Sequence, residues 1–71
     1  KLSYNEQKEY KNIESKLKSL EFDKKELEAK FFDETLTQDA ITELSEKLQN
    51  IITEMNTKEE RWFELMAKLE E

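Results

Sequence analysis

Phe32-Asp33-Glu34-Thr35-Leu36-Thr37-Gln38 interrupts two otherwise regular heptad ladders, and that interruption decides the fold. Upstream, the seam positions run Tyr10, Ile13, Leu17, Leu20, Lys24, Leu27, Phe31, with steps of three and four alternating throughout. Downstream they run Ile41, Leu44, Leu48, Ile51, Met55, Lys58, Trp62, Leu65, Leu69, with the same alternation. Each ladder lays a narrow apolar stripe along one helix, at the spacing that seats knobs of one helix in holes of another. The interruption is long enough for the chain to reverse, so the two stripes bury against each other. The expected fold is all-α, an antiparallel two-helix coiled-coil hairpin forming a single domain over residues 1–71.

Local chemistry sets the helix limits. Ser3 followed by Glu6 reads as a capping box, in which each side chain satisfies the other residue's backbone N–H. Helix one is expected from about residue 4 to about residue 32, ~43 Å at 1.5 Å per residue. The turn is expected over residues 33–37, which are rich in side chains that hydrogen-bond their own backbone. Either Thr35 or Thr37 can cap helix two, expected over about residues 38–70, and Asp39 and Glu43 suit its positive end. Antiparallel pairing then makes facing residue numbers sum to about 72. Phe31 meets Ile41, Leu27 meets Leu44, Leu20 meets Ile51 or Ile52, Leu17 meets Met55, and Tyr10 meets Trp62. Each seam holds one lysine, Lys24 opposite Leu48 and Lys58 opposite Ile13. Such a lysine either lies as a tolerated defect, its stem over apolar neighbours, or fixes the register.

Composition narrows the class further. Two helices cannot enclose a globular core, so stability must come from one long shared seam. The chain has no Gly, Pro, Cys or Val, and 42% of its residues are charged. Such charge content also suits disorder, but Leu, Ile and Phe supply 17 of the 71 residues and recur periodically. The lack of cysteine excludes a disulfide framework and a thiolate zinc site, and fits a reducing cytoplasm, the expected location. No apolar run approaches the ~18 residues of a membrane span, so no membrane partner is expected. Lys rather than Met at position 1 is expected of a segment of a longer protein. A monomer is expected; Ile52 and Met66 widen the stripe of helix two enough for a dimer.

Enzymatic constellations are absent. Without His there is no Ser-His relay or imidazole metal site, and without Gly no phosphate-cradling loop. Paired acids occur at Asp33-Glu34, Glu59-Glu60 and Glu70-Glu71, but a two-helix arm offers no cleft for them to flank. The domain is expected to be non-catalytic, with no cofactor or metal of its own. The net charge is −6, and it is uneven. Residues 1–35 carry eight Lys against nine acids, whereas residues 36–71 carry four bases against nine. Helix one is therefore the side suited to phosphate. Lys11, Lys18 and Lys25 recur every seven residues, flanked by Lys8, Lys16 and Lys30. The candidate nucleic-acid-binding residues are Lys8, Lys11, Lys18 and Lys25, with Arg61 at the open end. Against this, Gln7, Glu14 and Glu21 precede Lys11, Lys18 and Lys25 by four residues, the order of intrahelical pairs that need no ligand. Phe22 points outward from mid-helix, Phe63 falls off the seam, and Phe32 can cover the turn. An exposed Phe beside lysines either stands alone, docks protein, or stacks on a base.

The opening Lys1-Leu2-Ser3-Tyr4-Asn5-Glu6-Gln7-Lys8-Glu9 resembles the K-L-S-Y-x-E-Q-[KR]-E stretch that begins the C-terminal domain of ABC-F ATPases, especially the Uup subgroup. Arg61-Trp62 with Glu64-Leu65 is similar to that family's closing R-W-x-E-L, so the likeness spans the chain. The resemblance implies a parent protein with two ATP-binding cassettes, using ATP and magnesium, without a transmembrane domain and associated with ribosomes. It also implies DNA binding by the hairpin. The expected function is a nucleic-acid-contacting accessory arm, with DNA or ribosomal RNA as partner. The alternatives are an arm that packs on the parent cassettes or the ribosome, and a spacer.

Overall fold

The computed structural model describes residues 1–70 as two antiparallel helices, α1 (Tyr4–Lys30) and α2 (Gln38–Glu70), packed along their length. The molecule is a rod, 52 × 17 × 14 Å. The expected all-α hairpin is the observed one.

α1 begins with the capping box. The Glu6 N–H donates to Ser3 Oγ at 3.2 Å, and the Ser3 N–H donates to Glu6 Oε1 at 3.1 Å. It ends at Lys30, two residues short of the expected limit. The reason is a tightened last turn: the N–H groups of Phe31, Phe32 and Asp33 donate to carbonyls three residues back, at 3.2 Å each. Phe32, expected to cover the turn, is thrown outward and stands 83% exposed. Phe31 and Leu36 are the half-buried apolar residues there.

The reversal uses no positive φ among the described residues, which suits a chain without glycine. Asp33 organises it. Its carboxylate accepts the Thr35 N–H at 2.9 Å and the Thr35 hydroxyl at 2.6 Å, bonds that hold the carboxyl below its ordinary value. That commits Thr35 to the turn and leaves the cap of α2 to Thr37. The Thr37 hydroxyl accepts the Ala40 N–H at 3.1 Å, and its carbonyl accepts the Ile41 N–H at 3.0 Å.

Burial is uneven along the rod. Near the turn, Ile41, Leu44, Leu48 and Ile51 are only half-buried, and α1 covers them with Leu20 and Leu27. At the open end, Leu65 is completely buried in a cluster with Leu2 and Ile13, flanked by Tyr10, Leu17 and Trp62. Tyr10 and Trp62 stack with ring centroids 5.7 Å apart and planes 17° from parallel, the facing pair that the seam register demands. Phe63 meets the edge of Trp62 at 5.2 Å. Leu65→Ala should therefore cost about 3 kcal/mol, by loss of a packed side chain and the cavity left behind. Phe22, 63% exposed, should tolerate Phe22→Ser within ~0.5 kcal/mol. Urea unfolding followed by circular dichroism measures both, and equal losses would contradict this distribution of the core.

Candidate nucleic-acid interface

The five candidate residues do not form one surface. Lys11, Lys18 and Lys25 keep their heptad spacing on α1, and all three are exposed. Glu21 approaches Lys25 at 4.0 Å. Among the described residues, Lys11 and Lys18 have no ion-pair partner. The expected i,i+4 lacing is therefore present at only one of its three steps. The flexible ammonium groups of the other two remain available in water.

Lys18 borders a groove between the helices, a concavity of about 490 Å³ floored by Leu17, Met55, Trp62 and Phe63. Glu14, Glu21 and Glu59 also line it, so three acidic residues share the groove with one lysine. Phe22, for which protein docking was one of three alternatives, does not line this groove, whereas Phe63 does. The groove arises where flanking positions of both helices meet, which the periodicity of either ladder alone does not display.

Lys8 faces elsewhere. It lines a concavity of about 470 Å³ with Lys16 of α1 and Lys58 of α2, beside Asn5, Asn12 and Glu9. Lys58 was legible only as a seam lysine; in the folded hairpin its half-buried stem lies beside Ile13 and it enters this saddle. Glu54 reaches its ammonium at 3.7 Å.

Arg61 is occupied within the hairpin. Its Nε and Nη2 donate to the two oxygens of Glu9, each at 3.0 Å, and its Nη1 donates to Glu64 at 3.2 Å. This forked pair ties α2 to α1 and leaves the guanidinium engaged by two carboxylates instead of facing outward beside the lysine row. Hydrogen bonding to Glu9, then to Glu64, raises the guanidinium above its already high ordinary value. The same hydrogen bonds hold the Glu9 carboxyl below the usual carboxylate range. Nearer the open end, Lys68 pairs with Glu6. The Lys68 bond, joined by the Ser3 N–H, lowers the Glu6 carboxyl from 4.5 to about 2. The backbone nitrogen of Lys1 donates to the Lys68 carbonyl at 3.0 Å, completing a polar strap over the Leu65 cluster.

Among the described residues, no group of three or more His, Cys, Asp or Glu is placed to hold a metal ion. No helix among them is long and apolar enough to cross a membrane. The ABC transporter C-terminal domain family model matches residues 1–67, nearly the whole chain. The chain belongs to that family: it is a C-terminal domain of an ABC transporter-related protein. No curated protein and no solved structure matches it.

The strap implies a pH dependence of known sign. Glu6 and Glu9 titrate lower in the folded chain, so their contribution is complete above the unfolded value and is lost as pH falls through the folded one. For Glu6 the window runs from 4.5 down to about 2. Thermal unfolding should show Tm falling through that window, and Glu6→Gln should flatten part of the fall. An identical acid profile in the variant would mean that the Glu6–Lys68 strap does not form in solution.

Proposed function

We propose that this domain is the nucleic-acid-contacting arm of an ABC-F ATPase of the Uup kind, binding DNA or ribosomal RNA through backbone phosphates. The single observation that carries the reading is the exposed row Lys11, Lys18, Lys25 on α1, two of whose members have no carboxylate partner among the described residues. Family membership supports the accessory role, and the likeness of the opening and closing motifs supports the subgroup. In this reading the domain itself is non-catalytic. ATP and magnesium belong to cassettes elsewhere in a cytoplasmic parent. Lysines on flexible stems recognise phosphate as point charges, so binding is tolerant of sequence and sensitive to salt. With a net charge of −6, the chain as a whole repels the polymer. Contact is therefore confined to the α1 face, where bases and acids nearly balance.

A second reading rests on the groove floored by Leu17, Met55, Trp62 and Phe63. Phe63 is 55% exposed, and its ring offers an apolar foothold for the parent's own cassettes. In that case the arm docks protein and touches no nucleic acid.

Binding of duplex DNA and of structured RNA to this chain, measured by fluorescence anisotropy across salt concentrations, separates the readings. Log affinity should fall by about 0.9 for each phosphate neutralised on duplex DNA. Reversing Lys11, Lys18 and Lys25 to Glu should abolish binding while the helical signal stays intact. Affinity independent of salt, or unaffected by those reversals, excludes the phosphate-tracking arm. Phe63→Ser should leave nucleic-acid affinity unchanged if the first reading holds, and should impair docking on the cassettes if the second does.

A further inference from the structure

Four concavities along the rod differ in charge. The apolar groove sets Lys18 against three glutamates. Two concavities nearer the turn each balance Lys30 and Lys47 against two acids, Asp33 and Glu43 in one, Asp23 and Glu26 in the other. The saddle between Asn5 and Lys58 is the exception, with three lysines and one carboxylate. That carboxylate, Glu9, is already held at both oxygens by Arg61, so its charge is answered before any ligand arrives. Among the described residues, Glu54, 3.7 Å from Lys58, is the remaining acid in contact with these lysines, and it does not line the saddle.

From this we infer a phosphate seat in the saddle, built by Lys8 and Lys16 of α1 and Lys58 of α2, with the Asn5 and Asn12 amides beside them. The seat is separate from the Lys11, Lys18, Lys25 row and recognises a different form of phosphate. After Glu54 and the Arg61-bound Glu9 are counted, about two positive charges remain unanswered, which matches a terminal phosphate dianion better than a diester. A phosphomonoester carries about −1.5 to −2 at neutral pH and presents three strong acceptor oxygens. Three lysines drawn from two helices line the saddle, against one carboxylate already bound elsewhere. The ligand class is therefore a terminal phosphate, either free inorganic phosphate or the phosphorylated end of a nucleic-acid strand. The second source deepens the nucleic-acid reading and rests on it; the first does not.

The seat also depends on closure of the hairpin. Lys58 reaches it from α2, and Ile13 beneath it is a buried member of the Leu65 cluster. Parting of the helices would take one of the three ammonium groups away.

An amide-resolved NMR titration of the chain tests this with three probes: inorganic phosphate, an oligonucleotide duplex with 5′-phosphates, and the same duplex without them. Expected are shifts around Lys8, Lys16 and Lys58 with inorganic phosphate, and the same shifts with the phosphorylated duplex alone of the two. Lys16 is exposed, so Lys16→Gln should preserve the fold and weaken phosphate binding about fivefold, the loss of ~1 kcal/mol of ion pairing. Lys11→Gln should leave the inorganic phosphate shifts unchanged. Inorganic phosphate shifts with no duplex binding of either kind would support the seat while defeating the nucleic-acid reading. Equal responses to both duplexes confined to the α1 row, with none to inorganic phosphate, would overturn the seat and leave that reading standing. Phosphate shifts that survive Lys16→Gln undiminished would also overturn it.

Discussion

Leu65 of α2 packs against Leu2 and Ile13 where the two helix ends meet, and the rest of the hairpin depends on that contact. A two-helix rod has one seam and no third layer to compensate a weak stretch of it. Near the turn, short covalent linkage keeps the helices together, and buried Leu20 and Leu27 of α1 pack over half-buried residues of α2. At the far end nothing covalent holds α2 to α1. It is there that complete burial, the Tyr10–Trp62 stack and the Glu9–Arg61 and Glu6–Lys68 straps are concentrated. The straps lie at partly exposed positions, where ion pairs add little to stability. Their forked geometry does more to hold the register, because a slide of one residue would break both bonds of the Arg61 fork.

The two long sides of the rod have different chemistry as a result. One carries the apolar groove rimmed by Glu14, Glu21 and Glu59. The other carries the lysine saddle, whose single lining acid is consumed by the strap. An arm of this shape presents distinct surfaces without any cleft, since each concavity is simply the valley between two parallel cylinders. Arg61 gives the clearest case of fold and site sharing a residue. By binding Glu9 it fastens the open end and also removes a negative charge from the saddle.

Much of this was legible from residue spacing. The fold, the register at Tyr10 and Trp62, and the capping box at Ser3 and Glu6 follow from periodicity and short-range chemistry, both written along one dimension. The end of α1 was less legible, since a last turn tightened to three-residue bonds changes no side-chain period. The site was only half legible. Lys11, Lys18 and Lys25 form a row because one helix places them so. The saddle joins Lys8 and Lys16 to Lys58, positions that flank different seams and converge only when the helices pair. Lys58 was legible as a seam lysine, either a tolerated defect or a register device, and its stem does lie beside Ile13; where its ammonium would emerge depended on the partner helix. Arg61 was assigned to phosphate from its charge, and the carboxylate that claims it lies 52 residues away.

Trp62 is the sole tryptophan of the chain, and it sits between Tyr10 and Phe63 at the open end. Its indole nitrogen is buried and finds no hydrogen-bond partner among the described residues. The intrinsic fluorescence of this molecule is therefore a local optical gauge of one location. Its emission registers separation of the helix ends, with a shift to the red as the indole meets water, and is blind to rearrangement around Asp33 and Thr35. Far-ultraviolet ellipticity weighs all of both helices together. A mismatch between the two signals on heating would reveal unzipping from the termini as a distinct step, in a protein that carries its own probe for it.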